Sequence, residues 1–95
     1  MIAPQSSYQV IVNGTARPHP NYESAIASWK RVAQACDQGL SIEAELWRLT
    51  RYPWDEVFYQ GLQDPVTGEV DPEIVLAAPG VAIQVKQCIA ALFYP

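Results

Sequence analysis

The run from Asn21 to Gln38 constrains this chain more than any other segment. Tyr22, Ile26, Trp29, Ala33 and Cys36 recur at spacings of 4, 3, 4 and 3, one continuous stripe at the helical period. Ala25 and Val32 widen the stripe, while Ser28, Lys30, Arg31, Gln34 and Asp37 lie mostly off it. Asn21 suits an N-cap, and Glu23 places a negative charge in the first turn, where it complements the helix dipole. Gly39 stands where a C′ residue would close the helix. A helix with a single apolar stripe must bury it against another layer.

Strand-type segments flank that helix. Tyr8-Gln-Val-Ile-Val-Asn13 is aromatic and β-branched, with Tyr8, Val10 and Val12 on one face and Ile11 on the other. It runs into Asn13-Gly14, the pair favoured in two-residue hairpins because both positions accept positive φ. The returning strand is expected to be short, because Pro18 and Pro20 donate nothing to a ladder. Beyond Gly39, Leu40 to Leu46 alternates apolar and polar, whereas Ile42, Leu46 and Leu49 are spaced 4 and 3. The alternation favours a strand over residues 41–50. Tyr52-Pro53-Trp54-Asp55 then reads as a turn, and residues 56–60 as the second strand of a hairpin.

Gly61 to Asp71 reads as loop, with Asp64-Pro65-Val66-Thr67-Gly68 as turn chemistry. Asp71-Pro72-Glu73 suits the opening of a short helix that Pro79-Gly80 would end. A last helix is predicted from Val81 to Tyr94, on Val81, Val85, Cys88 and Leu92 at spacings of 4, 3 and 4. The sum is an α+β fold: one globular domain over 1–95, a small two-layer α/β sandwich in the order β-α-β-β-α. If residues 40–50 were helical, the fold would be mostly α with a small N-terminal hairpin.

Composition narrows the function classes. The 95 residues are 49% hydrophobic and 17% charged, which is globular rather than disordered. The run from Val81 to Phe93 is too short for a membrane span and is interrupted by Gln84, Lys86 and Gln87. The N-terminus has neither a basic n-region nor an apolar h-region, so a cytoplasmic location is expected. In that compartment Cys36 and Cys88 read as reduced, buried thiols, although a pairing between them stays open.

Net charge is −4, and its distribution matters more than the sum. Asp55, Glu56, Asp64, Glu69, Asp71 and Glu73 follow one another with no base among them. With six bases in the whole chain there is no phosphate-tracking stripe, which disfavours direct nucleic-acid binding.

Motifs for chemistry are sparse. His19 lies between two prolines with no nucleophile motif beside it, and one His with two distant Cys makes no zinc pattern. The acids of Asp64, Glu69 and Asp71 lack the spacing of a calcium loop, and no glycine-rich phosphate loop occurs. No metal or cofactor is therefore expected.

The aromatics stand out instead. Trp47, Tyr52, Trp54, Phe58 and Tyr59 fall within thirteen positions beside Arg48 and Arg51, and Trp, Tyr and Arg are the residue types most enriched at binding hot spots. These features predict a non-enzymatic protein-protein interaction module: an adaptor, a complex subunit or an inhibitor. Its expected partner-binding residues are Trp47, Arg48, Arg51, Trp54, Asp55, Glu56, Tyr59, Asp64, Glu69, Asp71 and Glu73. One version is an inhibitor whose acids occupy a basic nucleic-acid groove of a partner protein; another is a homodimer formed through an edge strand or the apolar C-terminal helix. The alternative class is a small enzyme or ligand-binding domain using His19 and Cys36, or Glu43 and Glu45.

Overall fold

A computed structural model describes residues 3–93 and has the element order β-β-α-β-α-β-β. The strands are β1 (Gln5–Val12), β2 (Thr15–His19), β3 (Glu43–Pro53), β4 (Val75–Ala78) and β5 (Ala82–Phe93); the helices are α1 (Tyr22–Asp37) and α2 (Glu56–Leu62). The fold is α+β, with a five-stranded antiparallel sheet in the order β2-β1-β3-β5-β4. The expected order β-α-β-β-α is corrected, and so is the mostly α alternative.

The chain divides into two compact units, Ser6–Leu49 with Gln87–Pro95, and Met1–Gln5 with Thr50–Lys86. The first is termed the hairpin unit. In it Asn13 (φ 48°) and Gly14 (φ 84°) form the expected turn, which sets the register Val12↔Thr15, Val10↔Arg17 and Tyr8↔His19. Pro18 is tolerated because β2 is an edge strand. Asn13 also anchors the start of β3: its N–H donates to the Glu43 carbonyl (2.8 Å), and its side-chain oxygen accepts from the Glu43 N–H (2.9 Å).

Helix α1 forms as its sequence predicts. The Asn21 side chain accepts from the Ser24 N–H, Glu23 lies in the first turn, Gln38 is the C-cap, and the Gly39 N–H donates to the Cys36 carbonyl. Its stripe covers two apolar clusters. Val10, Ala25 and Leu46 form one, with Ile26 and Trp29 packed against it; Cys36, Ile42 and Ala44 form the other, flanked by Val32 and Leu92. Tyr22, at the start of the stripe, is exposed and meets Tyr8 edge-on at 5.7 Å.

The second unit departs furthest from expectation. The predicted strand at residues 56–60 is helix α2, because Asp55 caps it: its carboxylate accepts from the Phe58 N–H at 2.9 Å, with Glu56 in the first turn. The predicted short helix after Asp71 is a turn followed by β4, since the Asp71 carboxylate binds the Glu73 N–H and its carbonyl accepts from Ile74 and Val75. The predicted helix from Val81 is strand β5. Pro79 and Gly80 (φ 78°) make a tight reversal, with the Val81 N–H donating to the Ala78 carbonyl, and this folds β5 back on β4 in the register Ala77↔Ile83. Tyr94, the end of that predicted helix, lies outside the described residues.

Candidate functional site

The six acids between Asp55 and Glu73 all lie in the unit Met1–Gln5 with Thr50–Lys86, whose bases are Arg51 and Lys86. That unit carries a formal charge of −4, the charge of the whole chain, because the four acids of the hairpin unit are balanced by four bases. It is termed the acidic unit.

Three of its acids are committed to the backbone. Asp55 caps α2, Asp71 holds the turn before β4, and Asp64 accepts from the N–H groups of Val66 (2.8 Å) and Thr67 (3.0 Å). Glu56, Glu69 and Glu73 are exposed. So are Val57, Val66, Leu76 and Val81, which gives this unit an apolar surface mixed with acids.

The hydrogen bonds to Asp64, chiefly from Thr67 and then Val66, hold its carboxyl below the ordinary aspartate value. A carboxyl whose folded pKa is lowered stabilises the fold above its unfolded pKa and loses that contribution as pH falls through the folded pKa. The Asp64 carboxyl carbon is therefore expected to titrate by NMR below an ordinary aspartate, with the Val66 and Thr67 amides moving at the same midpoint. A midpoint at the ordinary value would mean the carboxylate does not hold this turn.

The aromatic residues divide between structure and surface. Tyr52 packs on Phe58 (4.7 Å between ring centroids) and Trp54 on Tyr59 (5.1 Å), all four half-buried at the junction of β3 and α2. Trp47, in the hairpin unit, is half-buried and donates its indole N–H to Glu45 at 2.7 Å. The aromatic residues expected to bind a partner, Trp47, Trp54 and Tyr59, are all half-buried, and the predicted hairpin at residues 56–60 is replaced by two ring pairs around a helix start. Arg48 hydrogen-bonds Gln87, and exposed Arg51 borders a shallow cleft of about 180 Å³ beside Tyr52 and Val81.

The enzyme candidates are dispersed among structural roles. Cys36 is buried in the apolar cluster of Ile42 and Ala44, so it has the setting of an inert thiol. Cys88 is free and exposed on β5, a correction to the buried position expected for it. Glu43 is exposed, and Glu45 is bound to Trp47. His19 Nδ1 lies 2.7 Å from Ser24 Oγ, a pairing that resembles a nucleophile and its base. Among the described residues no third member completes the pair, because the other ring nitrogen, Nε2, is buried without a hydrogen-bond partner there. The bond ties β2 to the first turn of α1.

A feature not anticipated from the sequence lies between those two elements. Thr15, Arg17 and His19 of β2 face Ser28 and Arg31 of α1 across a cleft of about 560 Å³. Its apolar lining is half-buried Val12 and Val32 with the buried Val10 and Ile42 of the core. The signal was present in the hairpin. A two-residue turn at Asn13-Gly14 pairs Val10 with Arg17, and directly paired residues share a face.

Among the described residues no helix is long and apolar enough to cross a membrane. No family model, curated protein or solved structure matches this chain.

Proposed function

We propose that this chain is a protein-binding module whose acidic unit docks on a basic, partly apolar surface of a partner protein. The observation that carries this reading is the charge segregation: the whole net charge of −4 falls in one unit, which exposes Glu56, Glu69 and Glu73 and also Val57, Val66, Leu76 and Val81. Carboxylates of one sign steer encounter with a cationic surface and make it salt-sensitive, while the apolar side chains supply the burial that slows release. The same field repels nucleic-acid phosphates, so the basic surface belongs to a protein, with a nucleic-acid groove as the most cationic form of it. It also repels a second acidic unit, which favours a heterologous partner over a homodimer.

Glu56→Lys, Glu69→Lys and Glu73→Lys test the reading together, because none of these side chains caps a helix or holds a turn by a hydrogen bond, and a circular-dichroism spectrum matching that of the native chain shows that α2 survives the charge change in its first turn. Immobilised native chain and the triple variant are exposed to nuclease-treated lysate across a salt series. The expected result is a protein retained by the native chain, released by salt, and held at least about tenfold more weakly by the variant, as the loss of several rim charges implies. Retention unaffected by the three reversals would sink the proposal.

A further inference from the structure

We propose that the cleft between β2 and α1 binds a small amphipathic anion, with an oxyanion head on Arg17 and Arg31 and a short apolar body against Val12 and Val32. This site lies in the hairpin unit and is independent of the docking surface proposed above. The inference begins with an anomaly of pattern. Tyr8, Val10 and Val12 turn toward the apolar clusters, and their cross-strand partners on the same face are His19, Arg17 and Thr15. The side of a sheet that packs under a helix is ordinarily apolar. Here the edge strand places three polar side chains there, two of them imidazole or guanidinium.

Helix α1 answers in kind. Ser28, Arg31, Val32 and Ala35 follow at steps of three, one and three, which brings them to one side of the helix, and all four line the cleft. The lining includes two guanidinium groups and two hydroxyls but no carboxylate, so the arginines have no internal counter-charge there. Arg31 spends only its Nε–H, at 3.4 Å from the Ala27 carbonyl, which leaves its terminal donors for a ligand.

Guanidinium groups match carboxylate and phosphate oxygens in paired hydrogen bonds, and these charge-assisted bonds are among the strongest available to a site open to water. The volume suits a small molecule, since binding clefts begin at roughly 300 Å³. His19 serves the site indirectly: its Nε2 is shielded, and its Nδ1 bond to Ser24 holds β2 to the helix at one end of the cleft.

The test is a titration of the full-length chain followed by amide NMR, with four probes: hexanoate, hexyl phosphate, hexanol and inorganic phosphate. Hexanoate or hexyl phosphate is expected to move the amides of Thr15, Arg17, Ser28 and Arg31 saturably and to leave Val57 and Leu76 in place. The stronger of the two identifies the head group as carboxylate or phosphate. Hexanol and inorganic phosphate, each carrying half of the recognised chemistry, are expected to bind at least about tenfold more weakly.

Arg17→Gln with Arg31→Gln should weaken the better probe by at least about tenfold, the loss expected for charge-assisted hydrogen bonds. Both side chains are exposed, and an unchanged melting curve would show that the variant is folded; Arg31→Gln alone serves if it is not. The proposal is overturned if neither amphipathic anion gives saturable shifts, if hexanol matches them, or if the arginine variants bind them as the native chain does.

Discussion

Leu46→Ala is expected to lower the melting temperature by at least about 10 °C, the consequence for a domain of this size of losing roughly 2–5 kcal/mol. Leu46 is 2% exposed, and with Ile83 and Val10 it is one of the largest fully buried side chains. It packs in the cluster of Val10 and Ala25, where β1, β3 and α1 converge. Ala25 has no side-chain length with which to fill the space left by a leucine, so the loss of transfer free energy is compounded by a cavity. Small domains have about 5–15 kcal/mol of stability in all, which makes this a large fraction. Thermal unfolding followed by circular dichroism gives the number. A fall of only one or two degrees would mean that α1 settles onto β3 to close the gap, and that the cluster is looser than its burial indicates.

How much of this fold could be read from the sequence depended on whether one face of an element stayed buried along its length. Helix α1 was legible to its caps because one stripe is covered from Ala25 to Cys36 and its end signals agree with it. The hairpin was legible because Asn13-Gly14 permits few alternatives. β3 was ambiguous for a reason now visible. Its segment buries Ile42, Ala44, Leu46 and then Leu49, and the final step of three breaks strict alternation and imitates a helix.

β5 misled more completely. Val81, Val85, Cys88 and Leu92 mimic a helical stripe, but Val81 and Cys88 are exposed, so the spacing marks no buried face at all. In α2 the residue preferences of Val57, Phe58 and Tyr59 pointed to a strand, and the Asp55 cap and two ring pairs prevailed over them.

The site followed the same rule. The acids were legible as a block, but their division into capping and free carboxylates rests on hydrogen bonds: Asp64 and Asp71 hold turns, and Glu69 and Glu73 between and after them are exposed. The cationic cleft needed one further inference from the hairpin register, that Arg17 lies opposite Val10 and so stands on the core side. His19 drew attention as the single histidine, and its structural weight lies in a bond to Ser24 that its separation of five residues did not advertise.

Ile83→Ala should be as costly as the change at Leu46, again about 2–5 kcal/mol, and it bears on how the molecule unfolds. Ile83 is fully buried in the acidic unit, directly paired with Ala77 of β4. β4 is an edge strand joined to the sheet by a single ladder of four pairs, and with Leu76 exposed its hold rests on that ladder and on buried Val75. Amide exchange at residues 75–78 is therefore expected to accelerate.

The boundaries between the two units fall inside β3, at Leu49 and Thr50, and inside β5, at Lys86 and Gln87. Each of these strands would have to lose its hydrogen bonding partway along if one unit melted alone, leaving ladder groups unpaired at the break. The expected behaviour of Ile83→Ala is thus a single transition, with far-ultraviolet dichroism and tryptophan fluorescence coincident and the α1 amides losing protection together with those of β4. Two separated transitions, with α1 still protected after β4 has exchanged, would show instead that the units unfold independently and that the long strands fray at Thr50 and Gln87.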